Sequence, residues 1–255
     1  MAYYELLTEF FAHYLKSDDN GFAKRPPVRY FNIGENAWRQ SDSWPIREAQ
    51  NRSFFLEASG ALGDQAPDSR SSASFSYDPE NPVTITADTD VWNRAASQPD
   101  RSVLLQRDDV LTYDSAALSE DMDISGPVVV ELYASSSAVD TDFTAALVDV
   151  YPDGYSLLIQ EGILRTSFRD KSSPPSPIEP GEVYRFDIDL WATSYIVPSG
   201  HKLRVEISSS NFPRFARNLN TGEPFGMSDR IEIAEQTIYH SAQYPSRVVL
   251  PVIEH

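Results

Sequence analysis

The stretch from Ser125 to Gly154, SGPVVVELYASSSAVDTDFTAALVDVYPDG, decides the fold. Pro127–Ser136 and Phe143–Tyr151 are apolar runs of strand length with a period of two, not the 3.6 of a helix. Small polar residues join them and turn through Asp140 and Asp142. Pro152-Asp153-Gly154 then supplies an explicit turn. Two long strands joined this way make an antiparallel pair, and the rest of the chain repeats the pattern.

Downstream, Ser156–Phe168, Val183–Leu190, Lys202–Ser209 and Arg247–Ile253 read as strands. Upstream, the same reading predicts strands at Val28–Ile33, Ser53–Glu57, Ala73–Tyr77, Ser102–Gln106 and Val110–Tyr113. Asp78-Pro79, Asn81-Pro82, Glu179-Pro180-Gly181 and Pro198-Ser199-Gly200 mark turns between them. Residues 58–74, 86–102 and 169–180 read as long surface loops. Many short strands with no 20–50-residue repeat imply an all-β jelly-roll β-sandwich, not a propeller.

One segment departs from the pattern. YYELLTEFFAHYLK (3–16) places Leu6, Phe10 and Tyr14 on one helical row and Leu7, Phe11 and Leu15 on the row beside it. That spacing predicts an amphipathic helix, which Gly21 and the Pro26-Pro27 pair end. The predicted organisation is a leader helix over 1–24 and a jelly-roll domain over 25–255.

Composition narrows the function classes. The 255 residues hold 38 acidic and 21 basic side chains, a net charge of −17. Such a surface repels phosphates and anionic headgroups, so neither nucleic acid nor a membrane is an expected partner. No cysteine is present, which removes disulfides, thiolate metal sites and cysteine nucleophiles. No run of about 18 apolar residues suits a membrane span, and no signal peptide is apparent, so the expected compartment is the cytoplasm.

Catalytic motifs are missing too. A nucleophile elbow needs glycines two before and two after its serine. Of the eleven glycines, only Gly222 and Gly226 have that spacing, and Pro224 lies between them. The G-x-S tripeptides at Gly154 and Gly226 continue with Leu158 and Arg230. His13 lies on the leader helix and His255 is the last residue, while His201 and His240 each read as a surface or loop histidine with a local hydrogen bond. Asp140 and Asp142 are the best oxygen-ligand candidates, but they read first as turn caps. No metal and no cofactor is expected. Trp38, Trp44, Trp92 and Trp191 are scattered, so an independent carbohydrate- or ligand-binding module is the lesser alternative.

Four motifs taken in order carry a resemblance. They are VRYFNIGENAWRQSDSWP (28–45), the stretch from Ser125 quoted above, GEVYRFDIDLWATSYIVPSGHKLRVEISSSNFPRFARNLNTG (181–222) and YPSRVVLPVI (244–253). From about Ala23 to the end, the chain resembles the C-terminal domain of the X-Pro dipeptidyl-peptidase and cocaine esterase (CocE/NonD) serine hydrolases. The resemblance implies a galactose-binding-domain-like jelly roll. It implies an α/β-hydrolase domain, absent from this chain, that carries the triad, and a chain that is inactive alone. Tyr3–Lys16 resembles the last helix of that missing domain. No catalytic residue is carried over. Leu6, Leu7, Phe10, Phe11, Leu15, Trp38 and Trp44 are the expected interdomain contacts, and Val91 and Trp92 the expected pocket-lining residues. Without the partner, the helix stripe predicts a homo-oligomer.

Overall fold

The computed structural model describes residues 3–68, 70–84, 99–224 and 226–254. Among these residues there is one α-helix, α1 (Tyr3–Lys16), followed by a 3-10 turn at Phe22–Lys24. Thirteen strands follow among the described residues. They are β1 (Val28–Asn32), β2 (Ala37–Ser41), β3 (Ala49–Leu56), β4 (Leu62–Gly63), β5 (Ser71–Tyr77), β6 (Leu111–Asp114), β7 (Met122–Ser136), β8 (Asp142–Val150), β9 (Ser156–Arg165), β10 (Tyr184–Val197), β11 (Lys202–Ser208), β12 (Ala234–His240) and β13 (Arg247–Ile253). None of the described helices is long and apolar enough to cross a membrane.

The long strand read from the opening stretch organises the larger sheet. With 15 residues, β7 pairs with β10 along one edge and with β13 and then β12 along the other. From β13 the sheet continues to β3 and β4, and from β12 to β5. The second sheet has the order β6-β11-β8-β9. All these pairings are antiparallel. This is the expected β-sandwich. Alternation puts Val128, Val130, Leu132 and Ala134 of β7 inside, where they join Phe143 and Leu147 of β8, Phe186 and Ile188 of β10 and Leu203 and Val205 of β11. All of these side chains lose contact with water. At about 25 cal/mol per Å² of apolar area, they dominate the stability.

β8 is buried at every position. Its inner residues face that core. Its outer residues Ala146, Val148 and Val150 form a separate small cluster with Leu158 of β9. The small sheet is covered on its outer side as well: Leu104 and Val110 pack there with Val83. The covering segment enters through Arg101–Gln106, which is a 3-10 helix and not the predicted strand. Asp100 explains the difference. Its carboxylate accepts the Ser102 N–H (2.9 Å) and hydroxyl (2.7 Å), an N-cap that starts a helical turn. The sequence reading also stopped β10 at Leu190, seven residues early, and passed over β2, β4 and β12.

At the sandwich corner β9 passes close over β10. A Cβ on Gly162 would lie 2.2 Å from the Asp189 carbonyl oxygen, so only glycine permits this approach. Beside that crossing β10 carries a bulge between Asp189 and Ala192.

Candidate interdomain interface

The surface that stands out is the N-terminal one. α1 forms where the sequence places it, with Glu5 in its first turn and Lys16 in its last, both favourable to the helix dipole. No residue of α1 is buried. It packs against the 3-10 turn just after it. Phe22 packs edge-on against Phe10 (5.6 Å between ring centres) and Tyr14 (6.2 Å). Arg25 pairs with Glu9 (2.6 Å), and Asn20 donates to the Glu9 carbonyl. These contacts hold the helix against its own connection. Leu6, Phe10, Phe11 and Leu15 all remain exposed, with Leu15 at 75%.

The hairpin β1–β2 presents a second apolar surface. Phe31 and Trp38, cross-strand partners, pack edge-on at 5.4 Å, and the Arg29 guanidinium lies 4.6 Å from the Trp38 ring. Trp44 lies against Tyr30 at 5.8 Å. Trp38 is 59% exposed and Trp44 40%. Beneath these rings the hairpin is held firmly. Asn32 is fully buried; its side-chain amide donates to Ser194 Oγ (2.8 Å) and Asp123 Oδ1 (3.4 Å). Arg39 donates to Asp123 and to Glu35. Burial works against the Arg39 charge, but the hydrogen bonds to both carboxylates outweigh it and raise the pKa. The Ile33 N–H donates to Ser194 O (2.8 Å), and its carbonyl accepts the Ile196 N–H (2.9 Å). A rigid hairpin thus displays exposed aromatic rings, a combination typical of a preorganised contact surface.

The interior histidines do different work from a catalytic base. His201 donates Nδ1–H to Asp149 Oδ1 (2.7 Å), and Asp149 also accepts the Tyr195 hydroxyl (2.8 Å). This oriented imidazole has Tyr151 against its ring at 4.3 Å. Burial, then Asp149, raises the Tyr195 pKa, so its hydroxyl stays protonated. The pair has an orienter and a base, and the groups described around it supply no nucleophile. His240 was read as a surface or loop residue; it ends β12 fully buried. Its Nε2 lies 2.8 Å from the Tyr113 hydroxyl, and burial pushes its pKa down to about 4.

Asp140 and Asp142 are committed to protein partners. Asp140 accepts the Ser167 N–H and the Thr166 hydroxyl, both at 3.0 Å. Asp142 takes a bidentate hydrogen bond from Arg165 (2.9 and 3.2 Å) and another from Asn218. Asp140 caps an N–H of the Thr166–Phe168 turn, 27 residues on, where the expectation was the free N–H groups of its own turn. Asp142 is the anion of a partly buried salt bridge. Val91 and Trp92 lie outside the described residues.

Trp191, which the sequence offers only as one of four scattered tryptophans, is carried by the β10 bulge. Its φ is +68° and it is 71% exposed. A signal was available: at a period of two, Trp191 falls on the row of Arg185, Asp187 and Asp189, which is otherwise charged.

The described residues form a β-sandwich domain with an exposed aromatic surface on its N-terminal side. The comparisons agree. Residues 20–249 match the model of the X-Pro dipeptidyl-peptidase C-terminal non-catalytic domain, and the chain belongs to that family. It is 37% identical over 257 residues to the cocaine esterase of Rhodococcus sp. (strain MB1 Bresler), a match covering 96% of this chain and 45% of the esterase. An α-amino acid ester hydrolase superposes with a TM-score of 0.85 at 31% identity, over 96% of this chain and 44% of that one. An aminopeptidase from a marine sediment Thaumarchaeota archaeon gives 0.85 at 28%, over 97% and 44%. A CocE/NonD family hydrolase of Staphylococcus aureus, at 18% identity and a TM-score of 0.69, shares the fold. The chain therefore spans less than half the length of these relatives.

Proposed function

We propose that this chain serves as the docking and pocket-shaping domain of a CocE-type serine hydrolase, held to an α/β-hydrolase domain through α1 and the β1–β2 hairpin. The observation that carries the reading is α1 itself. A helix with two adjacent apolar rows and no buried residue gains its stability from a cover, and among the described residues α1 packs on the segment from Asn20 to Arg25. The relatives' additional length supplies a source for that cover. Phe11 and Leu15 would seat against the hydrolase domain, while Trp38 and Trp44 would meet it from the hairpin. The chemistry would belong to the covering domain, and this chain would fix the position of its walls.

The test has two arms. Alone, the purified chain should leave p-nitrophenyl esters and Ala-Pro-p-nitroanilide unhydrolysed. Mixed with the hydrolase part of its own coding sequence, it should bind one-to-one, and the double variant Phe11→Gln/Leu15→Gln should bind at least about tenfold more weakly, roughly 1.4 kcal/mol. Turnover by the chain alone, or a double variant that binds as the parent does, would overturn the proposal.

A further inference from the structure

Trp191 occupies a conformation that its residue type disfavours. With φ at +68° it lies in the left-handed region, where a Cβ crowds the backbone and where glycine or asparagine is the usual occupant. The backbone is held there by its surroundings. The Trp191 N–H donates to Asp189 Oδ1 (2.8 Å), the Ala192 carbonyl accepts from Gln160 Nε2 (2.9 Å), and Gly162 of β9 presses on the Asp189 carbonyl. None of these contacts uses the indole, which is 71% exposed. The fold would accept a smaller residue here at no loss. A large apolar ring held in an unfavourable backbone well, and turned into water, contributes nothing to the sandwich that carries it.

Its position indicates what it is for. The bulge precedes the segment of β10 that anchors the hairpin: Ser194 and Ile196 bond to Ile33, and Asn32 reaches Ser194. Ile33 itself forms a parallel bridge with Tyr195. Trp191 is thus fixed on the same strand, within a few residues of the point where the Trp38-bearing hairpin joins the sheet. Aromatic anchors on a rigid backbone are the residues that dominate interface energies, because they lose little conformational freedom on docking.

We infer that Trp191 is a docking anchor for the α/β-hydrolase domain, inserted into an apolar recess on that domain as the hairpin and α1 close over it. The inference rests on the function proposed above and adds a named contact that the leader helix does not supply. The occupant is the hydrolase domain and not a second copy of this chain, because the family is that of a C-terminal domain and its relatives are about twice as long.

The experiment compares Trp191→Asn with Trp191→Phe in the 255-residue chain, titrated against the hydrolase part of its own coding sequence. Asparagine suits the backbone and removes the ring; phenylalanine keeps an apolar ring. Trp191→Asn should leave the melting temperature of the chain equal or raise it by about 2–4 °C. It should weaken docking about 30-fold, the loss typical of an interface hot spot, and phenylalanine should recover most of it. Docking unaffected by Trp191→Asn but weakened by Phe11→Gln/Leu15→Gln would overturn this inference and leave the proposed function standing. No docking by the parent chain would overturn both. A drop in melting temperature matching the loss of docking would make Trp191 a structural residue. Self-association that disappears in Trp191→Asn would assign the anchor to a second copy and reject the occupant named here.

Discussion

The outer face of the small sheet and the N-terminal surface solve the same problem in opposite ways. Over the small sheet, charged residues are taken out of water and paired. Arg101, 6% exposed, donates to Glu206 at 2.6 and 2.8 Å and lies 3.7 Å from Glu161. Glu161 also accepts from Asn211 and Arg214, and Arg204 holds Asp114 with two bonds. Burial raises the Glu206 pKa, with Arg101 opposing it. At the N-terminal surface, apolar rings are left in water with their backbone fixed. The first arrangement makes sense only in a finished fold, because a buried charge is tolerable only beside its partner. The second is the arrangement that the proposed docking would use. The contrast separates a closed polar network on one side from an open apolar surface on the other.

Breaking the closed side should have the largest effect. Arg101→Ala leaves Glu206 buried with one oxygen stripped of its cation and the other, Oε1, already without a hydrogen-bond partner. The expected cost is about 3–5 kcal/mol, read as a lower urea midpoint at constant slope. Loss of under about 1 kcal/mol would mean that water reaches this network freely. Leu132→Ala, in the shared core of the two sheets, should cost about 2–5 kcal/mol by leaving a cavity that the packed strands cannot close.

A pH titration sharpens the same side. His240 is fully buried, and its folded pKa is about 4 against an ordinary value of 6.5. Between those two values the unfolded chain takes up a proton that the folded chain refuses. Stability is therefore complete above pH 6.5, falls as the pH drops through the window, and has lost about 3 kcal/mol near pH 4. In His240→Gln this part of the acid limb should flatten, since glutamine has no proton to gain. An acid limb of unchanged slope would place the titrating group elsewhere.

The two sides were not equally legible in the sequence. Period two exposed the sandwich, and the spacing of Leu6, Phe10 and Tyr14 placed α1 at its observed limits, because both signals are local. The serine-rich run before Asp140 pointed to a capped turn for the same reason. The Arg101–Glu206 pair was invisible. Its members are 105 residues apart, and Ser102–Gln106 has the apolar content of a strand while Asp100 imposes a helical turn. His240 was misread because burial is a property of β12, whose strand AEQTIYH is polar enough to pass for a loop. Trp191 could have been noticed from its place in a charged row. Its positive φ could not, since the bulge sits where β9 approaches at Gly162, a contact distant in sequence.

The smallest predicted effect tests the open side most directly. Phe11→Gln and Leu15→Gln keep good helix formers in α1 and remove apolar surface that touches almost nothing in the chain. Their urea midpoints should match the parent within about 0.5 kcal/mol, the usual range for surface positions. Solubility should respond far more than stability. In the parent, the exposed rows of α1 favour self-association as concentration rises, and sedimentation of the double variant should show a monomer where the parent shows a concentration-dependent shift. If the double variant instead loses as much stability as Leu132→Ala, α1 is part of the sandwich core and the division drawn between closed and open sides collapses. If stability and association are both unchanged, the apolar rows of α1 have no role in holding copies of this chain together, and whatever covers them must come from a different molecule.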